Sequence, residues 1–253
     1  MHTGLCTVCG DRPHVGPTAH EEVQTEIDDM EKGIFISFEG LDGSGKSTQM
    51  EYLRQYLDER GIPSVFVREP GGTPIGEKIR SIILDRQNAG MDPVTEAMLY
   101  AASRAQLVSE VIEPALAAGK VVVCDRYIDS SVAYQSFGRG LKYKVAEINE
   151  HAVRGVMPDV TFWLDVPPET GRARRTGREQ DRLEAEQEAF FYRVQEGYQK
   201  LAEHFPERIR RLDGSLDREE IRERIVVFVK DMLDRRDAAD CGEMADFPEG
   251  GEA

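Results

Sequence analysis

The chain has 253 residues, 40% of them apolar and 31% charged, with a formal net charge of −15. That length suits one α/β domain around a single core. No apolar run approaches the ~20 residues needed to cross a bilayer, and the start lacks the basic and apolar blocks of a secretory signal, so a cytoplasmic protein with no membrane partner is expected. Residues 1–32 and residues 234–253 each carry seven acids and two bases. Such ends repel polyanions, which argues against a nucleic-acid partner.

In chain order, residues 1–32 mix Gly, Pro, His and acids without apolar periodicity and read as a disordered extension. Met30, just before the first strand, is a candidate for a later start. Cys6, Cys9, His14 and His20 offer four zinc-ligand types. The histidines are six apart, however, outside the usual spacing, and few apolar residues surround them, so disorder is expected there and not a zinc site. A short β-prone run, Ile34 to Phe38, precedes a helical pattern from Lys46 to Arg60. Ser64 to Arg68 is a second strand, followed by a helix from Thr73 to Arg86. Pro93 to Ala118 is a long helical stretch with a kink or break expected at Pro114. Val121 to Cys124 and Val160 to Leu164 are continuous apolar runs, as in strands buried on both faces. Arg208 to Leu212 is an expected edge strand and Arg218 to Leu233 a closing helix, with residues 234–253 a frayed acidic tail. The alternation predicts a doubly wound, mostly parallel sheet of about five strands in one domain over residues 33–233.

Gly40-Leu41-Asp42-Gly43-Ser44-Gly45-Lys46-Ser47 fits G-x-x-x-x-G-K-[ST] and lies between a strand and a helix, where a P-loop belongs. Its glycines let successive backbone N–H groups face a phosphate, and the helix N-terminus that follows favours negative charge. Residues 40–47 together with Thr48 are therefore the expected ATP site, with Lys46 on the β/γ oxygens and Ser47 on Mg²⁺. A guanine-selective switch would need an N-K-x-D stretch, which the chain lacks. Arg68-Glu69-Pro70-Gly71-Gly72-Thr73 and Asp125-Arg126-Tyr127 follow the second and third strands, at the strand ends where such sheets place ligands. Asp125 there can hold the metal, and Arg126 can grip phosphate two-pronged.

These strings, the last continued by Ile128-Asp129-Ser130-Ser131, with Phe38-Glu39-Gly40, Ala101-Ala102-Ser103-Arg104, Ala133-Tyr134-Gln135 and Pro158-Asp159, resemble bacterial thymidylate kinases in order and spacing over residues 33 to 233. The resemblance implies a nucleoside monophosphate kinase-like fold with a lid and transfer of the ATP γ-phosphoryl to dTMP, in a homodimer. It places Tyr100 as the aromatic that stacks on the base, where Phe is common. Arg104 would reach a base carbonyl and Gln135 the base edge. Asp42 would lie near the sugar 3′-hydroxyl and the monophosphate. Arg68, Arg80 and Arg126 would surround the acceptor phosphate, with Ser131 and Pro70, the latter cis in relatives, also in the substrate site. Tyr134 would crowd a 2′-hydroxyl. A related nucleotide or deoxynucleoside kinase with another acceptor, and a non-catalytic nucleotide switch, are the competing readings.

Thr170 to Arg182 holds Arg172, Arg174, Arg175, Arg178 and Arg182, a density unfavourable unless an anion or carboxylates compensate. The alternatives are a solvated face balanced by Glu179, Asp181 and Glu184, or a mobile lid at about residues 168–183 that closes over ATP. Some thymidylate kinases carry an Arg immediately after the P-loop acid. Here that position is Gly43, so the resemblance implies that a lid arginine, Arg174 or Arg178 first, supplies the catalytic cation beside Lys46 and Arg126.

Overall fold

A computed structural model of the chain describes residues 33–174 and 180–243. The expectations for residues 1–32, including the cysteine–histidine segment, for Arg175 and Arg178, and for residues 244–253 lie outside the described residues.

Five strands, β1 (Ile34–Glu39), β2 (Ser64–Arg68), β3 (Val121–Asp125), β4 (Val160–Asp165) and β5 (Ile209–Asp213), form one sheet in the order β2-β3-β1-β4-β5. Every pairing is parallel, with Ile34 opposite Val121 and Ile36 opposite Val160. The helices are α1 (Lys46–Glu59), α2 (Pro74–Leu84), α3 (Pro93–Leu107), α4 (Glu113–Ala117), α5 (Ile128–Ser131), α6 (Lys144–Val153), α7 (Pro168–Arg174), α8 (Glu188–His204) and α9 (Arg218–Glu243). Successive strand residues point to opposite faces. Ile34, Ile36 and Phe38 thus bury against Leu53 and Leu57 of α1 and Ile221, Ile225 and Val229 of α9. Phe35, Val122 and Cys124 meet Leu107 of α3 on the other face, and Trp163 meets Phe190, Val194 and Tyr198 of α8. Both faces are covered, which is why β1, β3 and β4 read as unbroken apolar runs.

Thr73 caps α2 instead of opening it, its hydroxyl accepting from Gly76 N at 2.9 Å. The stretch from Pro93 is interrupted by a π-helical turn at Val108–Ile112. Pro114 lies just after that turn, in the first turn of α4, where its missing N–H leaves no bond unmade. α9 continues to Glu243, so residues 234–243 are helical and not a frayed tail. The ion pairs Lys230–Asp234 and Asp231–Arg235 span the expected boundary at helical i,i+4 spacing and carry the helix across it.

Candidate active site

The loop after β1 wraps the N-terminus of α1. Gly45 caps that helix in a left-handed conformation (φ 105°), open to glycine without strain. Gly43 (φ 85°) has a second reason to be glycine: a Cβ there would sit 2.3 Å from the Gly171 carbonyl of α7. The helix after β4 therefore packs directly on the phosphate loop, in the space that a side chain at 43 would need.

A cavity of about 860 Å³ opens over this loop, lined by residues 42–49 together with Asp125, Arg174 and the turn after β5. Gly40 and Leu41 stand behind its wall. Their carbonyls accept from Lys46 Nζ at 3.1 and 3.3 Å, with Asp42 Oδ1 at 3.9 Å. Burial, reinforced by Arg126, lowers the Lys46 pKa, and Asp125 and Asp42 oppose the shift. Arg174 Nη1 donates to Gly214 O at 3.0 Å, which holds its guanidinium at the cavity wall. Ser44 Oγ and Asp125 Oδ1 are buried without a hydrogen-bond partner. Orphaned polar atoms of that kind call for a partner beyond the protein's own groups. A hard divalent cation favours carboxylate and hydroxyl oxygens, so Asp125 with the nearby Ser47 fits Mg²⁺.

A second cavity, of about 120 Å³, adjoins the first and shares Asp42 with it. Pro70, Arg80, Tyr100, Arg126, Tyr134 and Gln135 line it, so the structure brings six of the expected substrate residues together with Asp42. The Glu69–Pro70 bond is cis, and Arg80 Nη1 donates to the Pro70 carbonyl at 2.9 Å. Arg126 lines this second cavity beside the shared Asp42. Its Nη2 donates to Asp42 Oδ1 at 2.8 Å, and its Nη1 reaches Ser130 Oγ (3.2 Å) and Tyr198 Oη (3.3 Å). Both hydroxyls donate in turn to Glu39 Oε2, so a buried carboxylate on β1 fixes the guanidinium through two intermediaries. The Tyr134 hydroxyl is buried without a partner beneath Arg126, whose guanidinium carbon lies 5.1 Å from the ring centroid.

Three expected substrate residues stand elsewhere. Arg104, 1% exposed, spends its donors on the protein: Nε and Nη2 on Glu69 Oε2 (2.9 and 2.6 Å), Nη1 on Ser131 Oγ (3.0 Å) and on Asn149 Oδ1, Nη2 also on the Tyr127 carbonyl (3.1 Å). It is a strut behind the cavity, and Ser131, as its acceptor, is withdrawn with it. Arg68 pairs with Glu77 at 2.8 Å in solvent and borders a separate groove beside Ser47 and Asp125. Of the arginines in the basic segment, Arg182 is tied down by the Ile83 carbonyl and Glu96, both at 2.7 Å.

Sequence reasoning missed Glu96 and Tyr198, and quoted Glu39, Glu69 and Ser130 only as parts of motifs. Glu69 lines the acceptor cavity with an unpartnered Oε1. Burial pushes its pKa up to about 7, against the lowering effect of Arg104. A carboxylate raised on folding adds stability below its ordinary value near 4.5 and loses it as pH climbs to about 7. Glu69→Gln should therefore flatten the fall in melting temperature between those pH values relative to the parent protein. Parallel melting curves against pH would show that Glu69 does not titrate in this way.

A parallel sheet with its glycine loop at the strand ends, and a second cavity joined to the phosphate cradle through Asp42 and Arg126, define a nucleotide kinase of the P-loop class. A family model described as thymidylate kinase matches residues 38–225. The thymidylate kinase of Symbiobacterium thermophilum is 50% identical over 204 residues, covering 80% of this chain and 95% of that protein. That of Thermoanaerobacter sp. is 49% identical over 203 residues, covering 80% and 100%. The crystal structure of thymidylate kinase from Ehrlichia chaffeensis superposes with a TM-score of 0.65 at 32% identity, covering 79% of this chain and 99% of that one. The chain belongs to the thymidylate kinase family.

Proposed function

We propose that the protein transfers the γ-phosphoryl group of ATP to dTMP, yielding dTDP and ADP with Mg²⁺ as cofactor. The observation that carries this reading is the Asp42–Arg126 pair at the seam between the two cavities. The guanidinium lines the acceptor cavity and bonds Asp42 of the phosphate loop, so two phosphates can meet end to end.

The acceptor phosphate monoester has a second pKa near ~6 and is largely dianionic at neutral pH. An oxygen already charged needs no general base, so the protein's task is alignment and charge stabilisation. Lys46 and the loop N–H groups hold the donor phosphates, Arg126 and Arg80 hold the acceptor, and Tyr100 and Gln135 hold the base. Tyr134 sits beside the sugar and favours deoxyribose. Asp125 and Ser47 would hold Mg²⁺, which supplies shielding of the negative charge that builds on the transferring group. Thr170 to Arg182 acts as the lid, supported by Arg174 in the cradle wall and by α7 packed on Gly43. Ile75 and Ile82 on α2 and Met98 on α3 are large apolar side chains left about half exposed, which supports assembly as a homodimer. Among the described residues no helix is long and apolar enough to cross a membrane, and we place the enzyme in the cytoplasm.

Thymine differs from uracil by one methyl group, and a hydrophobic pocket draws about 10- to 200-fold from such a difference. A panel of nucleoside monophosphates with ATP and Mg²⁺, read by coupled ADP release, should show dTMP fastest and dUMP slower by a factor in that range. CMP or AMP faster than dTMP would assign the site to another acceptor, and no ADP with any of them would leave a nucleotide-binding switch.

A further inference from the structure

Glu96, on α3 one turn before Tyr100, is fully buried. Its Oε1 accepts from Gln135 Nε2 at 2.9 Å and Arg139 Nε at 3.2 Å; its Oε2 accepts from Arg139 Nη2 at 2.9 Å and Arg182 Nη2 at 2.7 Å. Burial alone would raise its pKa, but the hydrogen bonds and charge of Arg139, with those from Gln135 and Arg182, outweigh it and hold the group below the usual carboxylate range. An ionised carboxylate only accepts hydrogen bonds. The Gln135 amide is therefore locked with its nitrogen on Glu96. Gln135 lines the acceptor cavity, and among the described residues no donor reaches its Oε1.

We infer that Glu96 sets the polarity of the base-reading edge. By holding the nitrogen of Gln135 it turns that amide's carbonyl toward the acceptor, so the site takes a pyrimidine whose N3 carries a proton and refuses one whose N3 is a bare acceptor. Glu96 is a positioning residue: it touches no substrate and acts through Gln135. The inference rests on the dTMP kinase reading and adds to it the group that orients the base contact. Thymine and uracil share the N3 donor, so Glu96 does not separate those two; cytosine presents a lone pair there and is the base excluded.

The test is Glu96→Gln, which keeps the volume. Two guanidinium donors, from Arg139 and Arg182, converge where Oε2 stood, and they hold the new amide's oxygen there. The new NH₂ then faces Gln135 and the longer-bonded Arg139 Nε; the guanidinium can only draw back, whereas Gln135 can flip to accept and offer its own NH₂ to the cavity. The kcat/KM ratio of dTMP over dCMP should fall by about ten-fold or more, the scale of one mispaired buried polar contact. In a Gln135→Met background the same change should leave the ratio unaltered. If both activities fall in proportion, Glu96 is only structural and the inference is overturned. Should the variant fail to fold, calorimetry on the parent protein decides. dTMP should bind about ten-fold or more tightly than dCMP or N3-methyl dTMP, and equal affinities would overturn the inference. Loss of dTMP phosphorylation by the parent enzyme itself would be a different result, against the assigned reaction.

Discussion

Lys46→Ala should lower kcat for dTMP phosphorylation by on the order of 10³-fold or more, on the scale by which phosphoryl-transfer enzymes depend on single cations. Lys46 is buried at the floor of the cradle, held between the Gly40 and Leu41 carbonyls and within 3.9 Å of Asp42. In the proposed reaction its ammonium is the loop's own cation for the donor phosphates, and it is almost wholly withdrawn from solvent. Two carbonyls lose a donor in the variant, a cost of about 1–3 kcal/mol. For a domain of this size that lowers the melting temperature by about 2–4 °C per kcal/mol. Steady-state kinetics beside a thermal melt separates the effects: a folded protein with turnover near zero is expected, and turnover within ten-fold of the parent would contradict the role.

Arg174→Ala should cost on the order of 10³-fold in kcat as well, with the affinity for dTMP little changed. The reason lies in Gly43. A side chain at that position would collide with Gly171 of α7, so the loop cannot carry its own arginine while α7 packs as it does. Arg174 closes the same helix, and its Nη1 donates to the carbonyls of Gly214 and, at 3.5 Å, Gly43. It thus lies within the cradle wall, where the proposed reaction brings the transferring group. Arg174→Lys should recover only part of the loss, because an ammonium lacks the planar fork that spans two phosphate oxygens. Parental turnover in Arg174→Ala would take the role from this residue.

The phosphate cradle was legible in the sequence because its chemistry fixes neighbouring residues. Gly40, Gly45, Lys46 and Ser47 must keep their fixed spacing for the backbone to curl around an anion, and Asp125 with Arg126 ends a strand that any α/β pattern reveals. The three central strands, β1, β3 and β4, were legible for a related reason, since runs apolar on both faces admit few other fates. Arg104 was not. Its partners, Glu69 and Asn149, lie 35 and 45 residues away, and nothing local separates a guanidinium that reaches a base from one that braces the wall behind it. Arg68 likewise has a partner that no local pattern announces, Glu77 nine residues on. Glu96 left no local signal either. An acid in the first turn of a helix after Pro93 reads as a solvated, dipole-favoured residue, and only the fold shows three side chains converging on it. The end of α9 was misjudged because its acids read as a tail, although arginines and a lysine interleave with them at helical spacing.

The most direct measurement follows the phosphoryl group itself. ATP labelled at the γ-phosphorus, incubated with the protein, Mg²⁺ and dTMP and resolved by chromatography, should place the label in dTDP in amounts equal to the ADP released. Label recovered as inorganic phosphate, or none leaving ATP while the protein remains folded, would contradict a phosphotransferase acting across the Asp42–Arg126 seam.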